Sequence, residues 1–435
     1  MLNETASSIE DRPAQRSAMR YSEDDARRGE IREMVTTVLA VERETFDDAN
    51  HPKENLLLVG EDSRIIATFE GRLLGDSETA YADLDRLLTP RNYLPLFREN
   101  DGKHVVHIVA GRVHPKPRHW WLNAVLFIAT FFSVLLAGTE MAIGELANGD
   151  PAIAQAYIDN LMFELWRGLP YAIAILLILG AHELGHYFAA RRHKIVVTLP
   201  YFIPAPFIGL IGTLGAFIQL REPMRNRKVL LDVGAAGPLI GLVVALPVLF
   251  IGLATSQVLP IPEVASMEGN SLLYALAKII IFGQFLPSGG YDVFINQLAM
   301  AGWTGLLVTG LNLIPIGQLD GGHILYSLIG ERARLLFYPL IGAMLVLVLT
   351  GSEAWLFWLV LLFLFGRIYA TPLDMITQLD TRRKLIAILG LVVFILTFVP
   401  IPFSIVVNEP VLTPRDTIWL PAALMMVAWF TARRR

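Results

Sequence analysis

Along the chain the apolar positions change their period near residue 119. Before it, short apolar and polar runs alternate. A helical spacing is predicted over about 24 to 49, followed by "NLLLVG" (55–60) and "RIIATFEGRLL" (64–74). A second helical run, "DSETAYADLDRLLTPRNYLPLFREN" (76–100), precedes "KHVVHIVAGRV" (103–113). β-rich runs set around a helix predict a small, soluble α+β domain over residues 1–118. From His119 the pattern loses its polar half. Uncharged runs fall at about 120–139, 169–181, 233–254, 293–319, 335–352, 354–366, 385–407 and 417–432. Most approach the ~20 residues that cross ~30 Å of hydrocarbon. The prediction is a polytopic α-helical membrane domain over 119–435 with eight transmembrane helices.

Charge orients these spans. "RVHPKPRH" (112–119), "RRHK" (191–194), "REPMRNRK" (221–228), "ERAR" (331–334), "TRRK" (381–384) and the terminal "ARRR" are basic, whereas loops 140–167, 255–292 and 404–416 are poor in Lys and Arg. Positive-inside bias puts the basic set, and both termini, on the cytoplasmic side. "SLLYALAKIIIFGQF" (271–285) breaks that alternation if it crosses, so it is read as an interfacial or re-entrant helix. Composition agrees: hydrophobic residues make up 54% against 17% charged, with mean hydropathy +0.50. The absence of cysteine excludes disulfides, thiolate-bound zinc and thiol catalysis. No basic face with interleaved aromatics is present, so nucleic acid is not an expected partner. The first 50 residues carry neither the apolar core of a signal peptide nor the composition of a transit peptide. The expected location is a bacterial cytoplasmic (inner) membrane.

Chemistry enters at "AHELGHYFAA" (181–190). His182, Glu183 and His186 form H-E-x-x-H, and helical positions i and i+4 share a face, so both imidazoles can reach one metal ion with the glutamate beside them. Ionisable side chains at the centre of a span cost about 2.5–3.5 kcal/mol each, which calls for a metal, a partner or a water cavity. The blander alternative is a solvated helix end, since "RRHK" follows closely. Catalytic zinc has three protein ligands and one open position, so a third donor is needed. Asp320, in "NLIPIGQLDGGH" (312–323), is the first acidic residue after Asp292 and lies at the cytoplasmic end of its span, the end at which His186 leaves the bilayer. Pro315 and Gly317, Gly321 and Gly322 break the helix there and let a carboxylate turn toward an ion. Taken alone, Asp320 also fits an Asp-Gly turn.

"HELGH" and "NLIPIGQLDGG" together resemble the site-2 protease family of intramembrane zinc metalloproteases. "DVGAAGPLIG" (232–241) is similar to that family's small-residue core helix, and "GTLGAFIQL" (212–220) to its re-entrant β segment. The resemblance covers about 170 to 330 and is nearest to the ethylene-dependent gravitropism-deficient and yellow-green type, which has a soluble N-terminal module. It implies a catalytic core over about 169–330, and the uncharged runs predict further C-terminal helices over 335–432. It implies one zinc ion held by His182, His186 and Asp320, with Glu183 as general base and then acid. Asn312 is a candidate donor to the substrate carbonyl, or else a buried amide linking helices. Residues 212–220 either offer a free strand edge to an unwound substrate helix or form a hairpin that only packs. Ala235, Ala236 and Gly237 read as small residues for close helix packing. The implied substrates are membrane proteins with a transmembrane helix, cut near the cytoplasmic face. A proton- or metal-coupled transporter and an inactive membrane chaperone of the same family are the other function classes.

Overall fold

The computed structural model describes residues 25–46, 64–113, 115, 119–147, 150–206, 211–262, 264–351 and 354–407. Its N-terminal part is helix α1 (25–36), strands β1 (Leu39–Phe46) and β2 (Arg64–Leu73), helix α2 (Ser77–Leu88), and strands β3 (Tyr93–Asn100) and β4 (Lys103–Ala110). The strands form one antiparallel sheet in the order β1-β2-β4-β3. Ile31, Val35, Phe69, Leu84, Phe97 and Val106 are fully buried between the helices and this sheet.

Two long helical runs expected from the sequence each split into a helix and a strand. The first ends at 36, and "LAVERETF" pairs with β2 across a bulge between Val41 and Arg43. The second ends at Leu88, where Pro90 removes an amide donor and Asn92 turns left-handed (φ 58°), and Tyr93–Asn100 pairs with β4. Four consecutive buried residues, Leu94 to Phe97, hide the period-2 signal in β3. The strand's outer edge is also occupied. Phe97 N–H donates to the Leu373 carbonyl (2.9 Å) and Met375 N–H to the Phe97 carbonyl (3.0 Å). On its other side the same segment bonds residues 224 and 225 through Leu373 N–H (2.9 Å) and Asp374 N–H (2.7 Å). Residues 373–375 therefore strap the N-terminal sheet to the rest of the chain.

The remainder is mainly helical. α3 (Trp121–Ala147), α4 (Pro151–Asp159), α5 (Leu161–Glu164) and α6 (Leu169–Arg192) lead into a hairpin of β5 (Tyr201–Pro204) and β6 (Thr213–Phe217). Then come α7 (Arg227–Ala254), β7 (Gln257–Pro260), β8 (Val264–Glu268), α8 (Leu272–Phe282), β9 (Tyr291–Phe294) and α9 (Gln297–Asn312). α10 (Asp320–Ile329), α11 (Phe337–Leu349), α12 (Ala354–Phe365), α13 (Thr381–Thr397) and β10 (Phe403–Val407) complete the described chain. Among the described residues, four stretches are long and apolar enough to cross a membrane: Trp121–Ala147, Leu161–Arg192, Arg227–Ala254 and Asp320–Leu349. Their outer faces carry large exposed hydrophobics such as Ile173, Val243 and Ile251. In water such surface costs about 25 cal/mol per Å², whereas against lipid it does not.

Several expected spans take a different shape. The run 293–319 is not one helix: α9 stops at Asn312, and the chain turns through Pro315 and Gly317 (φ 58°) before α10. The run 385–407 stops at Thr397 because Pro400 and Pro402 follow, and β10 then pairs with β8. α8, inside the expected interfacial segment, is 11 residues long, too short to cross, and runs from a Ser271 cap to Gly283. The expected span at 417–432 lies outside the described residues.

Candidate metal centre

α6 starts with Pro170 in its first turn and ends on Arg191 and Arg192, the favourable charge for a helix C-terminus. Between them His182, Glu183 and His186 are all buried, and the two imidazoles face α7. The third residue arrives from elsewhere in the chain. Leu319 is extended (ψ 159°), so Asp320 becomes the first residue of α10, with its carboxylate at a helix N-terminus. Gly321 and Gly322 permit this turn, because a Cβ on either would stand 1.9 Å from the Leu313 carbonyl oxygen or 2.4 Å from that of Gly317.

The donor atoms form a nearly equilateral triangle. His182 Nε2 lies 3.3 Å and His186 Nε2 3.2 Å from Asp320 Oδ2, and the two Nε2 atoms are 3.2 Å apart. Two ligands bound to zinc at about 2.0–2.1 Å and a tetrahedral angle are separated by roughly 3.3 Å. The triangle therefore matches one face of a zinc tetrahedron. Its electrostatics also ask for a cation. His186 Nδ1 lies 2.7 Å from the Val233 carbonyl oxygen, an acceptor only, so Nδ1 carries the proton and Nε2 turns its lone pair to the centre. Lone pairs and a carboxylate converging in a buried space repel unless a positive ion sits among them. His182, His186 and Asp320 are thus the residues that could hold a metal, the same group of three that lies within 4.8 Å.

Glu183 points beside the triangle and not into it. Its carboxylate faces His186 and Asp320, with the Ile218 backbone amide next to it just beyond β6. Asn312, the last residue of α9, places Nδ2 3.3 Å from His182 Nε2. The structure brings together all five residues singled out in the sequence. His323 stays outside the triangle, its Cβ facing the Gly234 position on α7.

Sequence reasoning did not name the wall behind the imidazoles. A Cβ on Gly237 would stand 2.0 Å from His186 Nε2 and 2.4–2.5 Å from its two ring neighbours, over the face of the ring. One on Gly241 would stand 3.1 Å from His182 Cβ. The signal was present: Gly237 and Gly241 repeat at i, i+4, as do the two histidines they back, and α7 runs antiparallel to α6. Small residues in "AAGPLIG" do allow close packing, and what packs there is the ligand ring itself.

Residues 170–349 match the model of peptidase family M50. That segment of the chain is similar to peptidase family M50. The site-2 protease resemblance carried by "HELGH" and "NLIPIGQLDGG" is thereby borne out. Named relatives agree with this similarity. It is 30% identical over 353 residues to "Probable zinc metalloprotease EGY2, chloroplastic" of Arabidopsis thaliana, covering 78% of this chain and 61% of that protein. It is 28% identical over 308 residues to the EGY1 protein of the same plant, covering 66% and 55%. It is 27% identical over 256 residues to the EGY3 protein of Oryza sativa subsp. indica, covering 53% and 42%. The chain thus spans about three fifths or less of the length of these relatives. Their names are chloroplastic and lend no support to the expected bacterial inner membrane. No solved structure matches the chain.

Proposed function

We propose that this chain is an intramembrane zinc metalloendopeptidase that hydrolyses peptide bonds of membrane-spanning proteins. The observation that carries the reading is the 3.2–3.3 Å triangle of His182, His186 and Asp320 with Glu183 beside it. His182, His186 and Asp320 would hold one zinc ion. When bound, zinc lowers the pKa of a coordinated water toward about 7 and polarises the scissile carbonyl. Glu183 accepts the water proton and hands it to the leaving amine, as general base and then acid. The Asn312 amide donates to the carbonyl oxygen as it gains negative charge. Val233, through its carbonyl, holds the His186 ring in register with the site.

A transmembrane helix reaches such a site only in extended form, because its amides are otherwise bonded internally. β6 supplies the means. Among the described residues it pairs only with β5, so its other edge can add a substrate strand, and the Ile218 amide at its end faces Glu183. The soluble unit of residues 1–118, the eight-span topology with a re-entrant β5–β6 segment, and cytoplasmic placement of both termini belong to the same proposal. Positive charge supports the orientation, since His186 lies within two turns of Arg191 and Arg192 at the basic end of α6. No observation favours a transporter. The presence of Glu183 beside all three donors favours catalysis over an inactive membrane chaperone.

The test is cleavage of a panel of single-span substrates by the full chain in liposomes, before and after 1,10-phenanthroline. Cleavage that stops with the chelator and returns with added zinc supports the proposal. Cleavage insensitive to chelation overturns it.

A further inference from the structure

A cavity lies at the opposite end of α10 from Asp320. There the N-terminus of α7, the C-terminus of α10 and the first turn of α13 enclose a cavity of about 430 Å³. Its polar lining comprises Arg227, Arg332, Lys384 and the Gln378 amide, with Leu328 and Leu379 as part of its apolar wall and no acidic residue. Three cations sharing one cavity repel one another and call for an anion.

The neighbouring carboxylates are engaged elsewhere. Glu331 accepts from Arg334 Nε (2.7 Å) and from the Tyr326 hydroxyl, and Asp380 accepts from Arg383 Nη1 (2.6 Å). Arg383 also holds Asp232 on α7, through Nη2 at 2.7 Å. Arg227 spends Nε and Nη2 on the Ser327 and Leu328 carbonyls, both at 2.8 Å, which neutralises the C-terminal dipole of α10. Arg332 and Lys384 have no carboxylate partner among the described residues.

The cavity opens where charge gives way to apolar surface. Directly after Lys384, α13 exposes Leu385 (62%), Ile388 (49%) and Leu389 (49%), and Ile329 stands exposed at the end of α10. We propose that this cavity binds a phosphate ester, with Arg332 and Lys384 as its charge-pairing groups and Gln378 as a further donor. The phosphate of an anionic phospholipid headgroup suits it, because the acyl chains can run along the exposed face of α13. A soluble phosphate is the other source of the same chemistry. α10 has ten residues and is roughly 15 Å long, so the bound anion and the Asp320 ligand occupy two ends of one short rod.

The test uses the full-length chain in detergent. Native mass spectrometry measures the affinity for phosphatidylglycerol and phosphatidylcholine, and equilibrium dialysis measures inorganic phosphate. Each juxtamembrane cation contributes about a fivefold preference for an anionic lipid, so Arg332→Gln/Lys384→Gln should weaken phosphatidylglycerol binding by about 25-fold. Phosphatidylcholine binding should not change. Arg382→Gln, an exposed cation outside the cavity, should retain wild-type binding, and the charge-preserving Arg332→Lys/Lys384→Arg should restore it. Inorganic phosphate binding that follows the same variants, without lipid binding, upholds the phosphate site and assigns it a soluble ligand. Phosphatidylglycerol and phosphate binding that are equal in wild type and double variant overturn the proposal.

Discussion

Gly237→Ala puts a methyl group where the structure has none to spare. The new carbon would stand 2.0 Å from His186 Nε2 and 2.4 and 2.5 Å from its Cδ2 and Cε1, against about 3.5–4.0 Å for relaxed contact. The imidazole cannot rotate away freely, because its Nδ1 is held by the Val233 carbonyl at 2.7 Å on the same helix. Nor can α7 back off cheaply, because its other side is packed as tightly: a Cβ on Gly252 would stand 2.1 Å from the Ala299 amide nitrogen of α9, and one on Gly234 2.8 Å from His323 Cβ of α10. Overpacking of a filled interior costs about 1–3 kcal/mol. A ring pushed from its hydrogen bond should lose about 10- to 100-fold in metal affinity, as with other disruptions of ligand support. The assay is competition for zinc with a chromophoric chelator, run beside a thermal melt. Gly144→Ala is the control, since nothing lies within 4 Å of a Cβ there and an Ala inside a helix should stabilise by about 0.5–1 kcal/mol. Wild-type zinc affinity in Gly237→Ala would refute the argument that the ring lies against the α7 backbone.

Other substitutions separate the remaining roles. Asn312→Ala should retain zinc and lower kcat by about 10²- to 10³-fold if the amide serves the oxyanion, whereas a purely structural amide would show as a lower melting temperature with kcat intact. Arg98→Ala removes a guanidinium whose Nη1 donates to the Pro372 (3.1 Å) and Leu373 (2.9 Å) carbonyls, and should expose the junction of the strap with the N-terminal sheet to limited proteolysis. Unchanged protection would show that the strap does not depend on it. Burial raises the Asp374 carboxyl above its ordinary value, against the hydrogen bonds that favour its ionised form. A raised folded pKa means that this contribution to stability is complete below the unfolded value of about 3.9 and is lost as pH rises through the folded one. Melting curves across that window should therefore fall for wild type relative to Asp374→Asn, and parallel curves would contradict the assignment.

What could be read from the sequence follows from how local each signal is. The two histidines and Glu183 were legible because i, i+4 spacing fixes a shared helix face without any tertiary information. Asp320 was legible only through sidedness, an inference from where basic loops fall, and its turn was announced by Pro315 and paired glycines. The antiparallel match of Gly237 and Gly241 to His186 and His182 needed the contact between α6 and α7. The strap was hidden for the same reason, since the partners Phe97 and Leu373 are 276 residues apart. Over 24–49 and 76–100, charged residues on exposed strand faces imitated a helical period, and only pairing with β2 and β4 resolves the strands.

The central claim is that three buried donors hold a metal while Glu183 moves the proton. Its most direct test is zinc content and substrate cleavage measured on the same preparations of wild type, Glu183→Gln and Asp320→Asn. The account predicts near-stoichiometric zinc in wild type and Glu183→Gln, a large loss of zinc in Asp320→Asn, and cleavage by wild type alone. Cleavage by Glu183→Gln at the wild-type rate, or full zinc retention in Asp320→Asn, would contradict it.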